Sequence, residues 1–303
     1  MNYLYYPGCS LTSTGKGYGE SLRAVFEALG VGLTEIDDWN CCGATAYMAV
    51  DECKAFALAA RNLALAEVQG KTAETGQPVV VVAPCSACYL VLTKTQRYLE
   101  TIPEVERVVL GALQAAGLEY NGQVRVRHPI DVLVNDVKPQ VISKKVTNPL
   151  KGMKVACYYG CQFLRPFATF DDPHNPKTME QLVSAVGADP LKWPLRTRCC
   201  GASLTGTIHE VGVELSSFIL QEAAKRGADA IITACSLCQF NLECYQKEMR
   251  DELGKAFRVP VMYFTQLLGM AMGIPEEKLG MKRLFVPPAR RVPAQEGGQA
   301  AHV

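Results

Sequence analysis

Apolar and polar positions follow two alternating patterns along this chain, and the whole alternation occurs twice. Short apolar runs rich in β-branched residues, such as residues 79–84, are followed by longer stretches in which apolar residues recur with a helical period. The same i, i+3, i+4, i+7 spacing predicts a helix before Gly30 and another before Gly187, through Leu22, Val25, Phe26 and Leu29 and through Met179, Leu182, Val183 and Val186. Strands that alternate with helices predict an α/β fold with a small, mainly parallel sheet flanked by helices in each half.

Cysteines repeat in the same order in both halves. A Gly-Cys step is followed by a Cys-Cys-Gly step and then by a Cys-x-x-Cys step that lies between an apolar run and a helical pattern. We therefore expect each Cys-x-x-Cys step on a strand-to-helix turn. An ordered internal repeat predicts two homologous, pseudo-symmetric domains. The first cysteine set is Cys9, Cys41, Cys42, Cys85 and Cys88, and the second cysteine set is Cys161, Cys199, Cys200, Cys235 and Cys238.

The boundary between the two predicted domains falls in the polar stretch 137–152. The first domain is predicted to span residues 1–145 and the second to span residues 146–281. Each is expected to contain a short helix near its end, at 128–135 and at 262–269. Residues 282–303 are basic and rich in proline and glycine, which predicts a flexible tail without its own core.

Composition and charge narrow the classes of protein to consider. With 303 residues, 49% of them hydrophobic and 20% charged, the chain has the composition of a globular protein. Its formal net charge of +1 argues against a nucleic-acid partner. The longest apolar run, at residues 79–84, is far shorter than a membrane span, and the first ten residues lack the pattern of a signal peptide. We therefore expect a cytoplasmic protein without a membrane span.

Thirteen cysteines beside only four histidines indicate thiol chemistry or metal binding. Thiolates that converge from several loops are the ligands of iron–sulfur clusters. One Cys-x-x-Cys pair would also fit a thioredoxin-like redox pair, and the two pairs together would fit a four-thiolate zinc site, but neither alternative accounts for the Cys-Cys-Gly steps. Cys53, Cys157 and Cys244 are expected to pack as small apolar residues, although Cys157 competes with Cys161 as first member of the second set.

The segments YYPGCS, WNCCGA, APCSACY and YYGCQFLRP resemble the cysteine-rich CCG-domain family. Within that family they resemble the B subunit of heterodisulfide reductase and the related subunits of sulfur-oxidising, heterodisulfide reductase-like complexes. The resemblance covers residues 1–275 and implies two pseudo-symmetric CCG domains. It also implies two [4Fe-4S] clusters of a non-cubane type, each held by five cysteine sulfurs, so that the first cysteine set holds one cluster and the second cysteine set holds the other.

The resemblance further implies a function and partners. In such proteins a disulfide is cleaved reductively between the two clusters, and related complexes run the reverse oxidation of thiols or sulfur species. We therefore expect an oxidoreductase of sulfur metabolism that acts on a disulfide or a sulfur carrier. The implied partners are one subunit with cubane [4Fe-4S] clusters and one flavin-containing subunit, which correspond to the C and A subunits of heterodisulfide reductase.

Two further interpretations concern the site. Arg165 follows the first cysteine of the second set and is a candidate for binding an acidic group of the substrate, with a solvated arginine or an interdomain salt bridge as the alternative. Some CCG-domain proteins attached to dehydrogenases or quinone-linked complexes relay electrons without catalysing a reaction. The intact cysteine sets in both halves favour the catalytic interpretation over this relay.

Overall fold

The strands form two four-stranded sheets, one in each half of the chain. The computed structural model describes residues 1–44, 46–70, 78–254 and 258–289. The first sheet has the spatial order 2-1-3-4 and consists of β1 (Asn2–Tyr5), β2 (Gly32–Glu35), β3 (Val79–Val82) and β4 (Val124–Arg127). The second has the order 6-5-7-8 and consists of β5 (Lys154–Tyr158), β6 (Asp189–Pro190), β7 (Ala230–Thr233) and β8 (Val261–Tyr263).

All neighbouring strands of the two sheets run parallel. Val79 lies opposite Val124, and Val155 lies opposite Ala230. Parallel neighbours require crossover connections, and the intervening helices supply them. The α/β class with two parallel sheets is therefore confirmed, and the carboxyl ends of the strands in each sheet share one edge.

The helices flank both sheets. In the first half they are α1 (Gly8–Leu11), α2 (Lys16–Ala28), α3 (Ala46–Val50), α4 (Glu52–Gly70), α5 (Ser86–Thr101), α6 (Pro103–Ala115), α7 (Pro129–Asp131) and α8 (Pro139–Lys144), with a π-helical segment Val132–Val137 between the last two. In the second half they are α9 (Thr178–Ala185), α10 (His209–Lys225), α11 (Ser236–Cys244), α12 (Gln246–Leu253) and α13 (Phe264–Ala271), with 3₁₀ turns at Ala202–Gly206 and Met281–Arg283. Among the described residues, no helix combines the length and the apolarity needed to cross a bilayer.

The helices predicted from apolar spacing are present where the sequence indicated them. The helix before Gly30 is α2, and the helix before Gly187 is α9. Both glycines have a positive φ, 70° and 79°, which provides the left-handed residue that commonly ends a helix. The short helix predicted at 128–135 begins one residue later as α7 and continues as a π-helix, and the one predicted at 262–269 is α13.

The two halves interlock through their helices. From the first half, α2 packs against α13 of the second, and from the second half, α9 packs against α7 and α8 of the first. The ring of Tyr18 stacks on that of Tyr263, and the hydroxyls of Ser21 and Thr265 lie 2.6 Å apart. One hydrophobic cluster therefore contains buried side chains from both sheets. The division of the chain at residues 145 and 146 stays a prediction.

The predicted tail begins with residues that pack onto the body of the protein. Arg283 forms an ion pair with Glu20 of α2 at 2.8 Å. The backbone N–H of Val286 donates to the carboxylate of Glu243 at 3.0 Å, and the Val286 side chain is buried. Residues 290–303, the rest of the predicted tail, lie outside the described residues.

Candidate metal centres

The ten repeated cysteines lie at the carboxyl ends of the strands. In the first half the Gly-Cys step follows β1, the Cys-Cys-Gly step follows β2, and the Cys-x-x-Cys step spans the turn from β3 into α5. In the second half the same steps follow β5, β6 and β7. Cys85 and Cys235 are the N-cap residues of α5 and α11, on the strand-to-helix turns that the sequence predicted. Because strand ends meet at one edge of each sheet, each cysteine set converges in one place.

The thiols of the first cysteine set contact one another in pairs. Cys9 Sγ lies 3.8 Å from Cys41 Sγ, and Cys42 Sγ lies 3.2 Å from Cys88 Sγ. Cys85 is in hydrogen-bond contact with Cys88. Of the five residues, Cys9 and Cys41 are exposed and the others are buried. The first set therefore has a buried floor and one rim at the protein surface.

The second cysteine set repeats this arrangement. Cys200 Sγ lies 3.6 Å from Cys238 Sγ, and Cys238 is in hydrogen-bond contact with Cys235. Cys161 and Cys199 form the outer pair, in which Cys199 is exposed and Cys161 is half-buried. The two sets thus match residue for residue in their pairing.

Each set contains a thiol that is readily deprotonated. The hydrogen bond from Cys41, together with that from Cys88, lowers the pKa of Cys42 to about 4. In the second set the hydrogen bonds from Cys161 and Cys200 lower the pKa of Cys199 to about 2. The thiols that donate to them, Cys41 and Cys161, have a raised pKa in turn. Because metal ligation by cysteine requires the thiolate, these remaining thiols would release their protons on metal binding.

Glycine precedes the first cysteine of each set because the thiol of the last cysteine in that set lies against the glycine backbone. Gly8 and Gly160 both have a left-handed φ, 68° and 70°. A Cβ added at Gly8 would lie 2.8 Å from Cys88 Sγ, and one at Gly160 would lie 3.2 Å from Cys238 Sγ. A side chain at either position would push apart two of the loops that carry the thiols.

Tyr6 and Tyr158 connect the Gly-Cys loops to the Cys-Cys-Gly loops, a role that the sequence did not indicate. Both side chains are buried. The hydroxyl of Tyr6 donates to the carbonyl of Asn40 at 2.7 Å, and that of Tyr158 donates to the carbonyl of Arg198 at 2.6 Å. Each acceptor is the residue before a vicinal cysteine pair. The repeated aromatic residue ahead of each Gly-Cys step was the available signal.

Buried amides support the vicinal pairs, but different helices supply them in the two halves. In the first half Asn62 of α4 accepts from the N–H of Asn40 at 2.9 Å and donates to its carbonyl at 3.0 Å. In the second half Asn241 of α11 donates to the carbonyl of Ala202 at 2.9 Å and to Cys200 Sγ at 3.5 Å. Sequence spacing alone did not single out either asparagine.

His128 supports the first Cys-x-x-Cys turn. Its ring is fully buried, its Nδ1 accepts from the N–H of Ile130 at 3.2 Å, and its Nε2 donates to the carbonyl of Pro84 at 3.0 Å. Burial lowers the pKa of His128 to about 3, so the imidazole is neutral. At the matching N-cap position of the second half stands Tyr263.

The two cysteine sets lie next to each other because their Cys-x-x-Cys turns touch. Cys85 Sγ lies 3.8 Å from the hydroxyl oxygen of Ser236, and Ser86 donates to the carbonyl of Ala234 at 3.1 Å. Both serines are buried. The pseudo-two-fold relation therefore brings together the buried sides of the two sets.

The remaining candidates occupy different places. Arg165 is exposed and donates to the carbonyl of Thr197, two residues before Cys199, so its charge lies beside the second set. Cys157 is fully buried within β5, whereas Cys161 lies in the outer pair of the set. Cys53 and Cys244 are half-buried in α4 and α11.

The donor chemistry of the two sets fits a group with several metal ions better than a single ion. Each Cys-x-x-Cys step pairs with the vicinal cysteines of its own half, through Cys42 with Cys88 and Cys200 with Cys238, which does not favour a zinc site shared between the two steps. In the described part of the chain, no group of three or more Cys, His, Asp or Glu side chains has the arrangement needed to hold a single metal ion. Each set instead offers five soft sulfur donors, some buried and some at the surface, and thiolates are the ligands that iron–sulfur clusters use.

Comparisons with known proteins agree with the repeat. The cysteine-rich CCG domain matches this chain twice, at residues 3–93 and 155–243. A crystal structure of a hypothetical protein from Helicobacter pylori has the same fold, with a TM-score of 0.76 at 14% identity over 94% of this chain and 52% of that one.

Three relatives cover nearly the full length. The 8-methylmenaquinol:fumarate reductase membrane anchor subunit of Wolinella succinogenes is 33% identical over 92% of this chain and 95% of its own length. A protein of Archaeoglobus profundus that is named as like the B subunit of heterodisulfide reductase is 30% identical over 92% and 93%. The B subunit of the ferredoxin:CoB-CoM heterodisulfide reductase of Methanosarcina mazei is 27% identical over 93% of each. This chain therefore belongs to the cysteine-rich CCG domain family, with two copies of the domain.

Proposed function

We propose that this chain is the catalytic iron–sulfur subunit of a heterodisulfide reductase-like complex. In this role it cleaves a disulfide reductively or runs the reverse oxidation of thiols or sulfur species. The observation that carries the proposal is the contact between the two Cys-x-x-Cys turns, with Cys85 Sγ 3.8 Å from the Ser236 hydroxyl. The relatives named after the B subunit of heterodisulfide reductase support it.

The proposed cofactors are two [4Fe-4S] clusters of a non-cubane type, one for each cysteine set. The first would be held by Cys9, Cys41, Cys42, Cys85 and Cys88, and the second by Cys161, Cys199, Cys200, Cys235 and Cys238. Such clusters supply one-electron transfers, and reduction of a disulfide to two thiols takes two electrons and two protons.

Residues of the chain prepare these sites electrostatically. The N-termini of α5 and α11 point their free N–H groups toward the Cys-x-x-Cys steps, which favours negative charge on the sulfur ligands. Tyr6 and Tyr158 fix the spacing between the loops that carry the ligands. The charges proposed to attract the substrate lie on the surface beside Cys199.

A cavity of about 480 Å³ opens beside Cys199. Its lining includes the cations Arg198 and Lys225, the apolar Phe218 and one carboxylate, Glu222, which is paired with Arg226. Arg165, on the segment after β5, is hydrogen-bonded to the loop that carries Arg198 and Cys199, because it donates to the Thr197 carbonyl. These cations suit a disulfide or a sulfur carrier that bears acidic groups. We therefore keep Arg165 as a proposed contact of the substrate.

The electrons have to come from partners. We propose one subunit with cubane [4Fe-4S] clusters and, behind it, one flavin-containing subunit, as parts of one cytoplasmic complex. The exposed thiols Cys9, Cys41 and Cys199 place the rim of each site at the surface, where a partner can approach.

The test is a single-turnover experiment on protein isolated without oxygen and reduced with dithionite, from which the excess reductant has been removed. Oxidised 2-mercaptoethanol and cystine serve as disulfide probes. We expect the centres to be reoxidised with release of two thiols for each disulfide consumed. Cys42→Ser and Cys200→Ser variants are expected to release none. Thiol release that persists in both variants would contradict the proposal.

A second candidate is a non-catalytic relay, which the 33% identity to the membrane anchor subunit of a menaquinol:fumarate reductase favours. In that role the reduced centres would be reoxidised by a menaquinone analogue and not by either disulfide. The same single-turnover experiment, repeated with the menaquinone analogue in place of the disulfides, therefore separates the two functions.

A further inference from the structure

The side chain of Tyr18 in α2 is fully buried, and its hydroxyl has no hydrogen-bond partner among the described residues. A buried hydroxyl without a partner destabilises the folded state, so native proteins rarely contain one unless a ligand or a water satisfies it. Other buried tyrosines of this protein, Tyr6 and Tyr158, use their hydroxyls to bind backbone carbonyls. The unpaired hydroxyl of Tyr18 therefore points to a group that binds there.

The ring of Tyr18 lies beside the place where the two Cys-x-x-Cys turns meet. It stacks on Tyr263, with ring centres 4.5 Å apart and planes within 7°. A Cβ built on Gly15 would lie 3.4 Å from the Tyr263 hydroxyl and 2.8 Å from Cβ of Ser236. The Ser236 hydroxyl is in turn 3.8 Å from Cys85 Sγ.

The Tyr18 hydroxyl is available as a donor. Burial, and after it the nearby Cys85 thiol, raises the pKa of Tyr18 well above its usual range, so the group stays protonated. Cys235 of the second set acts in the same direction but more weakly than Cys85, which places the hydroxyl on the side of the first set. Protein groups that donate hydrogen bonds to the sulfurs of an iron–sulfur centre raise its reduction potential, because they stabilise the added negative charge of the reduced form.

We infer that the Tyr18 hydroxyl donates a hydrogen bond to a sulfur atom of the centre held by the first cysteine set, on the Cys85 side, and raises the reduction potential of that centre. This inference rests on the proposed function, because it requires that the set holds an iron–sulfur centre. Tyr18 acts as a positioning and tuning residue that changes the electron affinity of the centre.

The second half has no tyrosine at the matching position. When the sequences of α2 and α9 are aligned, Leu22 corresponds to Met179 and Gly30 to Gly187. In this alignment the residue that corresponds to Tyr18 is the exposed Asn175. The counterpart of Tyr263 is His128, which packs against the rings of Phe163 and Phe170. The third ring against His128 is that of Tyr89, whose hydroxyl is paired with that of Thr169. In this half, therefore, the described rings around His128 leave no hydroxyl unpaired. The donor to a sulfur of the second set is instead Asn241, through its contact with Cys200 Sγ.

The experiment compares Tyr18→Phe in two backgrounds, each of which retains one centre. Cys200→Ser leaves the first centre and Cys42→Ser leaves the second. In EPR-monitored redox titrations we expect Tyr18→Phe to lower the midpoint potential of the first centre and to leave the second unchanged. In protein exchanged into D₂O, ENDOR spectra of the first centre should lose one exchangeable proton coupling in the variant.

Tyr89→Phe is the matched control. Tyr89 is also buried and directly follows Cys88, but its hydroxyl is paired with that of Thr169. This variant is expected to leave both potentials unchanged. An unchanged potential of the first centre in Tyr18→Phe, or an equal shift of both centres, overturns the inference.

The failure of the inference differs from the failure of the proposed function. If the wild-type chain contains no iron–sulfur centres, the proposed cofactors and the inference are overturned together. If the centres are present but no disulfide is reduced, only the catalytic function is wrong, and the Tyr18→Phe titration still decides the inference. If only the inference is wrong, iron and sulfide contents are normal and the titration curves of Tyr18→Phe overlay those of the parent.

Discussion

The two halves of this protein place five cysteines in the same way but surround them with different side chains. In both, the strand ends and the N-terminus of one helix bring the thiols together. The support differs, however: Asn62 of α4 holds the loop of the first vicinal pair, whereas Asn241 of α11 holds that of the second. At matching N-cap positions the halves have His128 and Tyr263. The parallel sheet therefore fixes where the ligands lie, while the neighbouring side chains make the two sites chemically inequivalent.

The largest expected effect is the loss of one metal centre while the other is retained. Cys42→Ser and Cys200→Ser should each remove about half of the iron, because a serine oxygen is a poor replacement for a soft sulfur ligand and the sets lie on different sheets. Iron and sulfide analysis of the purified variants measures this. Cys53→Ala, a change of a half-buried cysteine outside both sets, should retain all the iron. Loss of all iron from one serine variant that stays folded would show that the sites are not independent.

Alanine at the glycines before the first cysteines should damage one site at a time. Gly8→Ala and Gly160→Ala force a side chain into a left-handed conformation, which costs about 1–2 kcal/mol, and press its Cβ against a cysteine sulfur. The closer contact at Gly8, 2.8 Å against 3.2 Å, predicts the greater loss of iron in the first site.

Gly30→Ala provides the matched control for backbone strain. Its φ is 70°, but an added Cβ would have no atom within 4 Å. We expect a loss of thermal stability without a loss of iron. If Gly30→Ala removes as much iron as Gly8→Ala, strain alone would explain the effect and the contact with Cys88 would be irrelevant.

Removal of the buried amides should distinguish support of the loop backbone, which both asparagines provide, from direct contact with a ligand sulfur. Asn62→Ala and Asn241→Ala each leave buried polar groups without partners, at a cost of about 1–3 kcal/mol in the free energy of unfolding. Only Asn241 contacts a cysteine sulfur, at 3.5 Å, so only its variant should shift the potential of the second centre. Chemical denaturation and redox titration of both variants test this, and a shift of the first centre by Asn241→Ala would contradict it.

The smallest expected effect on the two centres concerns Glu243, whose counterpart in α5 is Thr93. Burial raises the pKa of Glu243 to about 7 from its usual 4.5. A raised pKa means that the folded state holds the proton more tightly than the unfolded state, so stability decreases as the pH rises from 4.5 to 7. Relative to Glu243→Gln, the wild-type protein should therefore lose roughly 2 kcal/mol between about pH 5 and pH 8.

Thermal unfolding of both proteins across this range measures the difference. Glutamine keeps an oxygen that can accept from the N–H of Val286, so the variant retains the contact that holds residues 284–286. A stability difference that is constant with pH would show that Glu243 has the same proton affinity in the folded and unfolded states.

Local patterns predicted the parts of this fold that depend on neighbours in sequence. The helices before Gly30 and Gly187 and the Cys-x-x-Cys steps at the N-caps of α5 and α11 were all indicated by apolar spacing and turn position. Contacts between distant residues were not predictable in this way. The stacking of Tyr18 on Tyr263 and the bond from Val286 to Glu243 depend on how the halves interlock.

The site shows the same division between local and distant information. The repeat identified the ten cysteines, because a fixed order of steps survives as a sequence pattern. Tyr6 and Tyr158 lie three residues before the first cysteine of their sets, so their repetition was visible in the sequence. The amides of Asn62 and Asn241 support the vicinal loops from positions with no shared spacing to the cysteines. A side chain that acts through a tertiary contact cannot be recognised from its spacing in the sequence. Its residue type alone is not enough, because buried tyrosines and asparagines have many structural roles.

The most direct test of two sulfur-ligated centres is the content of iron, acid-labile sulfide and zinc in protein purified without oxygen. We predict about eight irons for each chain with an equal amount of sulfide, about four for each cysteine set. Zinc without iron or sulfide, in protein produced with iron and a functioning cluster-assembly system, would contradict the assignment of two iron–sulfur centres.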